Sequence, residues 1–186
     1  MIKINNISFS YPDKEVFKNF SLEIKANDHI WLYGESGCGK TTLARLILGL
    51  ESVNSGKITI NKKLIPSVVF QENRLLPFKT VLENLTLVGA DINAAKENLK
   101  ALGIQDTENM YPDELSGGMK RRVAIARALS IKFDYLILDE PFNGLDENNI
   151  KSAARQILKI AKDKAIILIT HSKDEAELLN AHKKIL

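Results

Sequence analysis

The sequence predicts an α/β protein built on a parallel core sheet, with an antiparallel section at the N-terminus. Three observations predict it. Tyr135–Leu138 and Ala165–Thr170 are short and nearly all apolar, the composition of strands buried on both faces in a parallel sheet. From His29 onward, strand-like and helix-like segments alternate. Ile2–Phe9 and Val16–Ile24 instead alternate apolar with polar residues, as half-buried antiparallel strands do.

The elements follow in order. His29–Tyr33 is a short apolar strand running into Gly34-Glu35-Ser36-Gly37-Cys38-Gly39-Lys40. A helix follows, with Leu43, Leu46, Ile47 and Leu50 at three-and-four spacing and Gly49 at its fraying end. Gly56–Ile60 and Ser67–Phe70 read as strands. Val81 to about Gly103 is mostly helical, broken near Gly89 and restarted by Asp91–Asn93, where an Asp can cap. Met119–Leu129 is a helix entered through a glycine pair, Asn148–Ala161 has helical spacing, Glu175–Asn180 is a last helix and Lys183–Leu186 a terminal strand.

Composition narrows the class. At 186 residues the chain has the length of one domain, able to bury about 70% of its unfolded surface without disulfides or structural metal. Cys38 is the only cysteine, which excludes a disulfide framework and a cysteine-rich zinc site and suits a reducing compartment. The content of 45% hydrophobic and 26% charged residues is that of a folded globular protein. No apolar run approaches the roughly 20 residues of a membrane span, and the N-terminus lacks the apolar core of a secretion signal. The expectation is a soluble cytosolic protein or a soluble subunit of something larger. A net charge of +3 does not argue for nucleic acid.

Three motifs carry chemistry. Gly34-Glu35-Ser36-Gly37-Cys38-Gly39-Lys40-Thr41 fits the phosphate-loop pattern and lies between a strand and a helix, as that pattern requires. Its glycines let successive N–H groups turn inward toward phosphate oxygens. The helix opening at Gly39 adds its positive end, and Lys40 adds a mobile charge for the β- and γ-phosphates. Thr41 would give its hydroxyl to Mg²⁺, and Thr42 reaches the α-phosphate. The other reading is a glycine-rich turn without chemistry, which the flanking strand and helix disfavour. Cys38 reads as a small residue in a crowded loop.

Next, Tyr135-Leu136-Ile137-Leu138-Asp139-Glu140 is an apolar strand ending in two acids, at the sheet edge where α/β proteins bind ligands. Asp139 can hold hydrated Mg²⁺, and Glu140 can polarise a water for in-line attack on a γ-phosphate. Alone, such acids mean a solvated strand end; behind a phosphate loop they point to hydrolysis. Third, Leu115-Ser116-Gly117-Gly118-Met119 precedes Asp139 by 20 residues and makes an anion site from bare N–H groups, or else only a helix cap.

Together these motifs resemble the ATP-binding cassette (ABC) ATPase family, and the resemblance covers almost the whole chain. It implies a P-loop NTPase fold of the ABC nucleotide-binding type, with a small helical subdomain. It takes Gly34–Thr42 as the phosphate loop, Gln71 as the Q-loop glutamine, Leu115–Met119 as the signature and Asp139 with Glu140 as the Walker B acids. Asn143-Gly144-Leu145-Asp146 is similar to the D-loop, and His171 to the switch histidine. Tyr11, 23 residues before Gly34, stands where the family stacks an aromatic on adenine. Taken singly, Tyr11, Gln71 and His171 read as a surface tyrosine, a loop amide and a strand-end histidine.

The resemblance implies a mechanism. Two chains pair head to tail, and each ATP lies between one chain's phosphate loop and the other chain's Ser116, Gly117 and Gly118. Glu140 acts as base, His171 contacts the γ-phosphate, Gln71 senses Mg²⁺ and the attacking water, and Asp146 aligns the facing site. The implied partners are a second copy and a separate membrane permease docking near Gln71–Phe78, with no nucleic acid. The implied location is the cytoplasmic face of the membrane. Leu75, Leu76 and Phe78 either dock the permease or pack under the helical subdomain. Phe70-Gln71-Glu72, Arg74–Pro77 and the signature are most similar to importers of the nitrate, sulfonate and taurine group. The alternative is a soluble ABC ATPase acting on a non-membrane partner, such as the iron–sulfur assembly type.

Departures from the family pattern are Met119 for the commonest signature glutamine, Asn143-Gly144 for a pair of small residues, and Asn27-Asp28 for a glycine turn. Asn tolerates the same positive φ. The segment between Gln71 and Leu115 is short, so the expectation is one cassette domain over 1–186 with a reduced helical subdomain at about 72–118 and no C-terminal regulatory domain.

Overall fold

The alternating N-terminal segments form a hairpin in the computed structural model, which describes residues 1–61 and 63–186. Strand β1 (Ile2–Tyr11) pairs antiparallel with β2 (Lys14–Ile24), and Tyr11 faces Lys14 at the hairpin tip. After β3 (His29–Tyr33) and α1 (Lys40–Ile47), strand β4 (Ser55–Ile60) takes the other edge of β1, giving the order β2-β1-β4. Asn27 makes the turn before β3 at φ 70°, the left-handed conformation that its side chain tolerates.

The second sheet is parallel between all of its neighbouring strands. It runs β5 (Pro66–Val69), β6 (Tyr135–Asp139), β7 (Ala165–Ile169), β3, β8 (His182–Ile185). Between β5 and β6 the chain forms α2 (Val81–Thr86), α3 (Ile92–Ala101), single turns at Gln105–Thr107 and Pro112–Glu114, and α4 (Gly117–Leu129). Helices α5 (Glu147–Ile160) and α6 (Lys173–Leu178) complete it.

Caps explain the helix boundaries. Thr80 and Glu83 form a reciprocal capping box at the start of α2, and the Asp91 carboxylate accepts from the N–H groups of Asn93 and Ala94 to restart the chain as α3. Three helices begin earlier than the sequence predicts, α5 by one residue at Glu147, after the Asp146 cap, and two others by two residues. Ser116 caps α4, so that helix opens at Gly117 rather than Met119. Ser172 caps α6, which therefore runs from Lys173 to Leu178 instead of Glu175 to Asn180. The strand predicted at Ser67–Phe70 lies one residue earlier, in register with β6 from Pro66 opposite Tyr135.

Strands β6 and β7 are buried at every position, as their composition requires. Their side chains divide between two cores, because successive residues of a strand point to opposite faces. Leu136, Leu138, Ile166, Leu168 and, from β3, Trp31 join the core under α2, α3, α4 and α5. Tyr135, Ile137, Ile167, Ile169, Ile30 and Leu32 join the core with α1 and the antiparallel sheet. Each fully buried Ile or Leu contributes about 1.5–3 kcal/mol of apolar transfer. The parallel sheet is thus a wall with a core on either side.

Candidate active site

Parallel strands send their carboxyl ends to one edge, and β3, β6 and β7 each deliver a chemical group there. After β3 the loop turns into α1 through Gly39, which caps the helix at φ 108°. A Cβ on Gly39 would stand 2.6 Å from Val16 Cγ1 and 2.8 Å from Phe17 Cζ, so glycine is required by conformation and by space. Lys40, the first residue of α1, is buried, and its Nζ donates to the carbonyls of Gly34 at 2.8 Å and Glu35 at 2.9 Å. The loop is wrapped around its own ammonium. Thr41 Oγ1 donates to Asp139 Oδ2 at 2.9 Å, joining α1 to the end of β6.

Register then places the second acid. Asp139 is opposite Ile169 on β7, so Glu140 lies beside Thr170 and His171. His171 Nε2 is 3.8 Å from Glu140 Oε1, and the Thr170 hydroxyl lies 3.4 Å from Glu140 Oε2 while donating to Glu175. Burial pushes the carboxyls of Asp139, Glu140 and Glu175 above the ordinary range. The Thr41 hydroxyl opposes this at Asp139, and the His171 charge opposes it at Glu140.

A cleft of about 340 Å³ lies over these groups. Tyr11, Ser36, Gly37, Gly39, Lys40, Thr41, Thr42, Gln71, Asp139, Glu140 and His171 line it, bringing most of the predicted residues to one place. Gly34 and Glu35 stand behind it and serve through their carbonyls. The Cys38 thiol folds back over Gly34, where a Cβ would be 2.5 Å from its sulfur. Thr41 and Asp139 offer two hard oxygen donors within hydrogen-bond reach of each other, a set suited to Mg²⁺ that keeps water and phosphate as its other ligands.

Residues 17–143 match the family described as ABC transporter. The chain belongs to that family. An aliphatic sulfonates import ATP-binding protein of Zymomonas mobilis is 38% identical over 188 residues, covering 96% of this chain and 78% of the relative. A nitrate import ATP-binding protein of Synechococcus elongatus is 37% identical over 181 residues, covering 88% of this chain and 28% of the relative. A dimeric ATP-binding cassette solved in a post-hydrolysis state with ADP and Pi superposes with a TM-score of 0.86 at 27% identity, covering 96% of this chain and 91% of that one.

Ser116, Gly117, Gly118 and Asp146 of this ABC transporter chain do not line the cleft. Ser116 and Gly117 are exposed at the start of α4, with the Ser116 hydroxyl accepting from the Met119 N–H at 3.2 Å. A Cβ on Gly118 would lie 3.2 Å from the Gly144 carbonyl, so the signature and the Asn143–Asp146 turn are neighbours. Asp146 is an exposed cap of α5, its carboxylate held low first by the Asn149 N–H.

Some site residues lie outside the motifs. Lys14 and Val16 line the cleft, and Lys14 Nζ donates to the Gly37 carbonyl at 2.8 Å. The available signal was the hairpin: extending β1 and β2 to the Pro12-Asp13 turn puts Lys14 opposite Tyr11. Thr170 and Glu175 carried no motif signal. Neither did Arg121, hidden in a run of three basic residues.

Proposed function

We propose that the chain is the ATP-binding and ATP-hydrolysing subunit of an ABC importer, working as a homodimer that drives a separate membrane permease. The observation that carries this reading is a division of groups. The phosphate loop, both acids and His171 converge on one cleft, while Ser116, Gly117 and Gly118 present free N–H groups outside it. A cleft with half of its phosphate donors facing elsewhere suits a site completed by a second copy. The relatives named for import favour this reading over a soluble ABC ATPase with a non-membrane partner.

Residues 1–186 act as one cassette, with the helical subdomain at about 72–118. Tyr11 stacks on adenine. The phosphate-loop N–H groups and Lys40 hold the β- and γ-phosphates, with Lys40 exchanging the carbonyls of Gly34 and Glu35 for phosphate oxygens. Thr41 and Asp139, with Gln71, hold Mg²⁺, which neutralises phosphate charge when bound. The Glu140 carboxylate accepts a proton from water as the water oxygen attacks the γ-phosphorus in line. The bond from that phosphorus to the bridging oxygen breaks, and ADP leaves with the electron pair. A raised pKa brings Glu140 nearer the working range of a general base. His171, beside Glu140, contacts the γ-phosphate, and Asp146 with the Ser116–Gly118 N–H groups completes the partner's site.

The permease docks near Gln71–Phe78. Leu75 packs into the helical core, whereas Leu76 and Phe78 stand exposed, Phe78 at 70%. Among the described residues no helix is long and apolar enough to cross a membrane, so a cytoplasmic-face location rests on the permease.

The test is Glu140→Gln. This variant should bind ATP as tightly as the parent, run as a dimer with ATP in size-exclusion chromatography, and lose steady-state turnover by about 10²-fold or more. Unchanged turnover removes Glu140 as base. A hydrophobic permease co-eluting from solubilised membranes supports the transport assignment; a solely soluble partner rejects it.

A further inference from the structure

Arg121, in the second turn of α4, is 2% exposed and makes six hydrogen bonds, five of them to main-chain carbonyls. Its Nε donates to the Pro141 carbonyl at 2.8 Å, and Nη2 donates to the carbonyls of Asp139, at 2.8 Å, and Glu140. From the other arm Nη1 donates to the carbonyls of Phe70 at 2.6 Å and Gln71 at 3.2 Å, and to Asn73 Oδ1 at 3.3 Å. One planar fork therefore holds two loops that leave different strands, β6 and β5.

The backbone at β6 shows what this achieves. Carbonyls of extended residues point alternately to opposite sides, so three in succession cannot meet one cation. They do so here because Glu140 stands at φ 48°, in the left-handed region that residues with a Cβ disfavour. The convergence of carbonyls on Arg121 and the rotation of Glu140 are one arrangement. That rotation also sends the Glu140 carboxylate toward His171.

We propose that Arg121 is a positioning residue for hydrolysis. It holds the Glu140 main chain in the conformation that aims the carboxylate, and it ties Gln71 to the same helix that begins with Ser116, Gly117 and Gly118. The helix end that reaches the partner's nucleotide is thereby pinned to the base and the Q-loop of its own chain. None of its bonds goes to the phosphate loop, and those to Asp139 and Gln71 go to main-chain carbonyls and leave their side chains free for Mg²⁺, so the residue acts mainly on turnover and little on nucleotide affinity. The inference rests on the reading of Glu140 as base.

The test compares Arg121→Gln, Arg121→Lys, Glu140→Gln and the Arg121→Gln/Glu140→Gln double variant of the full chain. Turnover is followed under single- and multiple-turnover conditions, and ATP affinity with a fluorescent nucleotide. Arg121→Gln should lower kcat by about 10- to 100-fold, the effect of a small misplacement of a catalytic group. Its ATP Kd should stay within about threefold of the parent value, and Arg121→Lys, one point charge in place of a fork, should fall between. In the Glu140→Gln background Arg121→Gln should cost nothing more, because residues acting through one group are non-additive. A purely structural role would instead lower affinity and melting temperature together and multiply the two losses.

Parental kcat in Glu140→Gln overturns the base reading itself. Inactive Glu140→Gln beside parental kcat in either folded Arg121 variant, or multiplicative losses in the double variant, overturns only the role of Arg121. Should Arg121→Gln not fold, Arg121→Lys decides by the same criteria. Failure of both to fold overturns the proposal, since the residue then serves stability alone.

Discussion

Gly117→Ala should make the isolated chain slightly more stable while it disables the ATPase. A Cβ at Gly117 meets nothing within 4 Å in the chain, and its φ is not positive. The residue opens α4, where alanine gains from helix propensity and from the smaller freedom it has in the unfolded chain. A full interior exchange is worth about 1 kcal/mol, and a first-turn position nearer 0.5 kcal/mol. For a chain of this size that raises the melting temperature by about 1–2 °C. On the proposed head-to-tail pairing, the same methyl group would stand where the partner's γ-phosphate approaches bare N–H groups. Loss of one or two such donors costs about 10²- to 10³-fold in turnover. Differential scanning fluorimetry without nucleotide, ATP titration of the monomer and steady-state phosphate release read the three quantities. A lower melting temperature, or parental turnover in the dimer, would refute the reasoning that Gly117 serves the partner and not its own chain.

Three further outcomes are expected. Gly39→Ala combines a left-handed φ of 108° with a Cβ 2.6 Å from Val16, so urea unfolding should show a loss of about 2–5 kcal/mol, with ATP affinity falling alongside. Phe78→Ser, at an exposed position, should leave stability within about 0.5 kcal/mol while abolishing co-purification with the permease. Burial raises the folded-state pKa of Glu175, so its contribution is complete below the unfolded value and is lost as pH rises through the folded one. Glu175→Gln should therefore gain in melting temperature relative to the parent between pH 4 and pH 8 without nucleotide, as 4.5 is the ordinary value for this carboxyl; a difference that does not change with pH counts against it.

What could be read in advance followed from local chemistry. The phosphate loop, the acids after an apolar strand and the glycine-entered helix each depend on a few adjacent residues. The strand order does not. That β6 pairs with β7, and β7 in turn with β3, follows from packing at long range, and the β6–β7 pairing sets His171 beside Glu140. Arg121 was illegible for the same reason, since in sequence it is one more basic residue, and Lys14 could be read only by carrying the hairpin to its tip. Ser116 and Ser172 were legible caps, and using them as such would have placed α4 and α6 correctly. The left-handed backbone of Glu140 has no sequence signature, since tertiary contacts impose it on a residue that disfavours it.

The wall formed by β6 and β7 has a consequence for how such a chain can change. Helix α1, which follows the phosphate loop, rests on one core, and α2 to α5 rest on the other. Interiors are close-packed and transmit strain within themselves; across the wall only the backbone is shared. On the proposed function, substitutions that refit the helical side to a new permease would therefore accumulate without loosening the grip on ATP. The two halves can drift at different rates, provided the few bonds at the carboxyl edge of the sheet are kept.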